Sequence, residues 1–492
     1  MGVDRVSSKA LRGAAVWSLG AAIGLSVPQW LPANSSWEAA RAAESATAQQ
    51  GTTALGGPVA TRKSAPGEPA PASPFAPPGA FLIAFENLDG ALLLKSTLFA
   101  APQVDTSGVL VLDTGAGYLA LDPDLIRALG LSDSLVDPMT FAPRPLPRIQ
   151  LGPLVQDVVG PVLSVDTEVI EQAIDRRVFG LLGQQPLASF AVRIDYRRDT
   201  LALIPMPRDG IAATRPSRMG AIDMAASSAA LAMARRSSRE ALAGVLAGNA
   251  ASMPFELEGD GKILIKARLS ESRRQSRDSS LTLLLDTGAT KTVFFEKALR
   301  RLRGDHRWKE LRGLSAPTLY GSEATYLSRV PVISLGEGSS TVTARDVDVA
   351  VMESRLESAL SQAVRQPVDG LLGYSFLRRF RVTIDYPHRL LWLEPIEVGR
   401  DQRQYEYTHI GVQVERREGT LRVVAVAEES PAAEAGIRPG DEFVTMDGAI
   451  AESLDVVSLA RRLEGAAGSR VSFRLRRGAE EKTYRLTRRQ LL

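Results

Sequence analysis

Much of this chain is written twice. Phe85-Glu86, Gly90 and Leu92-Leu93-Leu94-Lys95 lead to Val109-Leu110-Val111-Leu112-Asp113-Thr114-Gly115-Ala116. Phe255-Glu256, Gly261 and Ile263-Leu264-Ile265-Lys266 lead to Leu281-Thr282-Leu283-Leu284-Leu285-Asp286-Thr287-Gly288-Ala289. Phe85 to Phe255, Lys95 to Lys266 and Asp113 to Asp286 are offsets of 170, 171 and 173. The tails repeat too. Phe179-Gly180-Leu181-Leu182-Gly183 leads to Val192-Arg193-Ile194-Asp195-Tyr196, and Asp369-Gly370-Leu371-Leu372-Gly373 leads to Val382-Thr383-Ile384-Asp385-Tyr386. Short apolar or alternating runs between Gly, Pro and Asp turns read as β-structure. A fixed-period repeat of this kind implies two similar β units.

Within each copy, an Asp-Thr-Gly-Ala loop follows an apolar strand and precedes an apolar-apolar-Gly strand. The apolar runs read as strands buried on both faces. Each would hold its Asp rigidly at the strand end, and Gly115 and Gly288 permit the tight turn that aims backbone N–H groups at the carboxylate. Two such loops can bring two carboxylates together. Like charges about 3 Å apart cannot both ionise, so the pair would share a proton. Asp195 and Asp385 fall where hairpins turn and read as turn residues. A duplicated β-domain whose Asp-Gly turns only cap strands is the competing structural reading.

On these motifs, each half resembles one subunit of a retropepsin-like aspartic protease, and the chain resembles a fused form whose halves pair as pepsin lobes do. The resemblance covers roughly residues 81–395, apart from the central linker. It implies a mainly β fold of two pseudo-symmetric β-barrel lobes, with Asp113 and Asp286 as catalytic dyad. Thr114 and Thr287 would form an interlobe hydrogen-bond lattice, and Gly115, Ala116, Gly288 and Ala289 would shape the loops. Gln184 and Tyr374 stand where retroviral members carry charged interface residues. A flap is expected only in the second half, over 313–326, with Tyr320 and Gly321 near its tip. The matching Ser132–Pro153 segment carries five prolines and one glycine. Ala116 and Ala289 lack the hydroxyl that would favour a charged carboxylate, so a less acidic optimum is expected.

Composition narrows the chemistry further. Without cysteine, disulfides, thiol nucleophiles and thiolate metal sites are excluded. The three histidines (His306, His388, His409) show no metal-ligand spacing, and no zinc-helix or nucleophile-elbow motif occurs. No metal and no cofactor are expected. A formal net charge of +3, with arginines scattered, gives nucleic-acid binding no support. Arg5, Lys9 and Arg12 precede an apolar run from Ala14 to Val27, and Ala40-Arg41-Ala42 offers a cleavage site. Residues 1–42 therefore read as a signal peptide. The predicted protein is exported to a bacterial periplasm or the extracellular space, with no membrane span after signal removal. An uncleaved anchor is the alternative. Residues 43–78, rich in Pro and Ala, read as a flexible tether.

The remaining expected boundaries are lobe 1 over 79–207, an Ala-rich helical linker over 208–252, lobe 2 over 253–397 and a last module over 403–492. That module has Ile410-Gly411-Val412, a strand over 421–426, Gly436-Ile437-Arg438-Pro439-Gly440-Asp441 and an amphipathic helix over about 453–463. It resembles the PDZ domains of bacterial exported proteases. The resemblance implies that Ile410, Gly411 and Val412, with Leu454, Val457 and Leu459 of the helix, bind the C-terminus of an extended peptide. The combined reading is an exported aspartic endopeptidase acting on protein or peptide substrates. The alternatives are a catalytically silent peptide-binding scaffold, and a peptidase held inactive until the linker or PDZ domain moves.

Overall fold

A computed structural model describes residues 75–100, 104–131, 147–158, 160–207, 224–270, 280–303, 308–318, 321–396 and 405–492. The signal segment, most of the tether and Tyr320 lie outside the described residues. Phe75 and Ala76, read from sequence as the end of the tether, are instead packed: Phe75 is buried beneath the Arg193 guanidinium, 5.5 Å from its ring.

The fold is mainly β, with barrel-like sheets and a C-terminal PDZ domain. The halves are built alike. In the first, Val104–Leu112 runs parallel to Gly180–Leu182, which also pairs antiparallel with Leu119–Leu121. In the second, Ser280–Leu285 runs parallel to Gly370–Leu372, which pairs antiparallel with Thr292–Phe295. Both three-residue strands are wholly buried, as their unbroken Gly-Leu-Leu sequence requires. A Cβ on Gly183 would collide with the Tyr118 carbonyl, and one on Gly373 with the Lys291 carbonyl, so the glycine that ends each motif is dictated by backbone crossing overhead.

The halves are joined by one continuous sheet. Phe190–Asp195 pairs antiparallel with Phe380–Asp385 (Ile194↔Val382, Val192↔Ile384), and each is flanked by its own return strand, Thr200–Pro205 or Leu390–Pro395. Ala251–Pro254 adds to the far edge. The seam carries a buried polar cluster. The Arg193 guanidinium pairs with Glu394 and donates to Thr383 Oγ1 (2.9 Å), while Arg381 pairs with Asp195 (3.0 Å).

The Ala-rich linker contains a helix, Met224–Ala241. His388, in the turn after Asp385, is buried against this helix: its Nδ1 lies 2.8 Å from Asp385 Oδ2 and its Nε2 3.1 Å from Ser237 Oγ. This resembles a Ser-His-Asp relay, but Ser237 sits inside a helix whose neighbouring amides are spent on helical bonds, leaving no donors for an oxyanion. The cluster fastens the helix to the sheet.

The first half has a short hairpin, Arg148–Leu151 with Leu154–Asp157, and the residues preceding it that would match the second half's Glu310–Thr318 lie outside those described. The second has a long one, Glu310–Thr318 with Gly321–Leu335, paired from Glu310↔Ser328 to Thr318↔Gly321 and bulged between Leu311 and Leu314. The PDZ sheet runs Val412–Arg417, Thr420–Val426, Glu442–Met446, Arg470–Arg477, Glu480–Thr487. Its core gathers Ile410, Leu421, Phe443, Leu459 and Phe473. Its main helix, Val456–Leu463, is capped by Asp455, which accepts from the Ser458 N–H (2.7 Å).

Candidate active site

The two Asp-Thr-Gly-Ala loops meet, each bonded to the other through its threonine. Each Asp is held at its strand end by the apolar-apolar-Gly strand: the Asp113 N–H donates to the Leu182 carbonyl (3.0 Å) and the Asp286 N–H to the Leu372 carbonyl (3.1 Å). Each carboxylate then accepts two N–H bonds from its own turn. Asp113 Oδ1 takes Gly115 (2.8 Å) and Ala116 (3.2 Å). Asp286 Oδ1 takes Gly288 (2.8 Å) and Ala289 (3.1 Å). The Oδ2 atoms, also buried, make no hydrogen bond to the described residues. A Cβ on Gly288 would lie 3.0 Å from Asp113 Oδ1 and 3.2 Å from Asp286 Oδ1, which shows how closely the two carboxyls flank this glycine.

The threonines cross between loops. The Thr114 N–H donates to Thr287 Oγ1 and the Thr287 N–H to Thr114 Oγ1, both at 3.0 Å. Thr114 Oγ1 donates to the Leu285 carbonyl (3.0 Å) and Thr287 Oγ1 to the Leu112 carbonyl (2.9 Å). All four groups are buried, so the lattice fixes the halves in one relation.

Burial pushes both carboxyls up. Asp113 rises to about 6, opposed by the Gly115 N–H and by the charge of Lys262. Asp286 is driven well above the carboxylate range, by burial first and by the Asp113 charge second. The pair therefore holds a proton at pH values where free carboxylates have none.

Lys262 was not among the residues singled out from sequence. It is buried, and its ammonium pairs with both Asp260 oxygens (2.7 and 2.9 Å). The Asp260 carboxylate stands over Gly117, where a Cβ would come within 2.6 Å of Oδ2. With Gly90 matched to Gly261, Lys262 stands where the first copy has Ala91, which marks a difference between the copies but not the partner the lysine meets. Gln184 also joins the loop, its Nε2 donating to the Thr114 carbonyl. Tyr374 accepts from Asn87 (3.2 Å) across the halves.

The PDZ residues divide. Val412 and Val457 line a cavity of about 120 Å³ between the strand Val412–Arg417 and the helix Val456–Leu463. Ile410 and Leu459 do not; they are fully buried in the PDZ core, and Leu454, which precedes the helix, packs against that core. Gly411, at φ +88°, packs against Ser430. The helix starts three residues later than expected because Asp455 caps it, and Leu454 is left outside the helix.

No helix among the described residues is long and apolar enough to cross a membrane, and no group of acidic or histidine side chains there could hold a metal ion. Part of the chain is similar to carboxy-terminal processing protease CtpB of Bacillus subtilis, at 27% identity over 93 residues, 18% of this chain and 19% of that protein. The chain spans 15–19% of the length of the curated relatives it matches. Among solved structures, it is similar to an aspartic proteinase from Irpex lacteus (13% identity, 65% of this chain and 98% of that one, TM-score 0.36). It is also similar to a retropepsin-like aspartic protease from Rickettsia conorii (19% identity, 29% and 98%, TM-score 0.21). Residues 275–376, which contain the Asp286 loop and its apolar-apolar-Gly strand, match the aspartyl protease family, and residues 408–487 match the PDZ domain family. An aspartyl protease domain in the second half and a C-terminal PDZ domain are thus what these matches support.

Proposed function

We propose that the chain is an exported aspartic endopeptidase in which Asp113 and Asp286 form one intramolecular dyad. The observation that carries this reading is the mutual approach of two buried carboxyls, each fixed by two backbone N–H donors and both shifted upward. Lys262 favours negative charge on Asp113, so the shared proton resides on Asp286. Asp113 takes a proton from a water molecule, whose oxygen bonds to the scissile carbonyl carbon. Asp286 donates to the carbonyl oxygen. Collapse of the tetrahedral adduct breaks the C–N bond, and the amine nitrogen leaves with a proton from the dyad. Thr114, Thr287 and the loop glycines position the carboxyls, and the long hairpin with Gly321 closes over substrate. Export rests on the basic and apolar N-terminal pattern. The PDZ domain would bind extended peptide.

The test is cleavage of an unfolded protein by the mature chain, Asp113→Asn and Asp286→Asn. Loss of at least a thousandfold in both variants, with folding retained, is expected. Full activity in either one overturns the shared dyad. Failure of the parent chain to cut anything puts the silent peptide-binding scaffold first.

A further inference from the structure

The groove of the PDZ domain is not open to solvent on the side where a peptide would add. The strand Val412–Arg417 is an edge strand of the PDZ sheet, and Glu310–Thr318, the outer strand of the long hairpin, is an edge strand of the second half's sheet. The two edges face each other. Gln413 reaches across and completes both backbone groups of Ser315: its Oε1 accepts from the Ser315 N–H (2.9 Å) and its Nε2 donates to the Ser315 carbonyl (3.2 Å). One step along, at the bulge, the Glu428 N–H donates to the Arg312 carbonyl (2.9 Å). Gly313, at φ +80°, would carry a Cβ 2.6 Å from the Val426 carbonyl, so the bulge is shaped to the PDZ surface. Leu311, Leu314 and Leu327 of the hairpin then roof the cavity whose floor is Val412, Val457 and Ala460.

The far end of the groove is clamped from the first half. Asp175 accepts from Arg416 Nε on the strand wall (2.9 and 3.0 Å) and from the Val456 N–H that opens the helix wall (3.2 Å). One carboxylate therefore ties both walls together across the path an extended ligand would take.

We infer that the long hairpin and an incoming peptide compete for the same PDZ edge, so that peptide binding frees the hairpin. This rests on the reading of the chain as a peptidase with a peptide-binding PDZ domain. The fitting ligand is an extended peptide with aliphatic side chains, because the floor and roof are Val, Ala and Leu and strand addition supplies the main-chain bonds. In the resting chain the hairpin is held to the PDZ domain and is not free to close over the dyad. A ligand with higher affinity for the released form shifts the population towards it, and the linkage is reciprocal.

The experiment compares the full chain with Asp175→Asn/Gln413→Ala. Asn tolerates the left-handed backbone that Asp175 adopts at φ 53°, and neither residue touches the dyad. Binding of a fluorescein-labelled decapeptide, alternating Val and Ser and ending in a free Leu, is followed by anisotropy. Hydrogen exchange is read over 310–335. Both measurements use an Asp286→Asn background, so neither depends on turnover. At least tenfold tighter peptide binding in the double variant is expected, with faster exchange over the hairpin in the parent when peptide is saturating. In the active background, cleavage should rise several-fold in the double variant. Equal affinities, absence of binding to both forms, or hairpin exchange unmoved by peptide each overturns the inference. If binding and exchange respond as expected and the active background never cleaves, it is the peptidase reading that falls.

Discussion

At the dyad, two carboxyls are buried with their ionisation opposed by the surroundings, and this fixes the sign of several effects. A carboxyl raised in the folded state keeps a proton that the unfolded chain has lost, so its contribution to stability fades as pH rises through the folded value. Asp286→Asn should therefore stabilise the protein at pH 7.5, by roughly 3–6 °C in Tm. The gain should vanish as pH approaches about 4, where free aspartate also takes up a proton. Calorimetry across pH checks this, and a variant less stable than its parent at pH 7.5 would contradict it. The same burial places the acid limb of the pH–rate profile near 6, set by Asp113. Lys262 draws Asp113 downward, so Lys262→Met should move that limb to higher pH, with KM little changed. A limb near pH 2 would remove the assignment. Asp113 and Asp286 were legible because each follows an apolar run and precedes Thr-Gly-Ala. Lys262 was not, since its role depends on Asp260 and Gly117 meeting across the halves, which no local pattern encodes.

The elements show the same division between local and non-local information. Strands that finish in Leu and Val runs, such as Val104–Leu112 and Ser280–Leu285, end where their Asp stands. The Ala-rich helix was readable as a helix, but its attachment through Ser237, Ser238 and His388 to Asp385 was not, because the partners lie about 150 residues apart. The threonine lattice makes a sharp prediction. Thr287→Val removes one acceptor and one donor, stranding the Thr114 N–H and the Leu112 carbonyl in a dry interior. At about 1–3 kcal/mol per stranded group, a loss of about 2–6 kcal/mol is expected in urea unfolding. Thr287→Ser should recover most of it. Equal stability of the Val and Ser variants would mean that the lattice does not hold the halves together.

For the whole molecule, the seam between Phe190–Asp195 and Phe380–Asp385 binds the two copies within a single chain. Activity per chain should accordingly be independent of concentration from nanomolar to micromolar, and a single-chain species should carry it in gel filtration. Activity that grows with the square of concentration would point to pairing between chains. The duplication made this arrangement readable from sequence, whereas the docking of the long hairpin on the PDZ domain was not, because Ser315 and Gln413 lie 98 residues apart.

One contact bears on how such a protein would age. Lys291, five residues beyond Asp286 and only 3% exposed, has its ammonium paired with Glu406 and bonded to Tyr407 Oη (2.8 Å), at the entrance to the PDZ domain. A nick that let the PDZ domain drift away would take both partners of that cation with it and open the surface beside the Asp286 loop to water. Clipping at this junction would then act as a fuse rather than a trigger: a chain cut there would lose a contact that ties the Asp286 loop to its C-terminal domain.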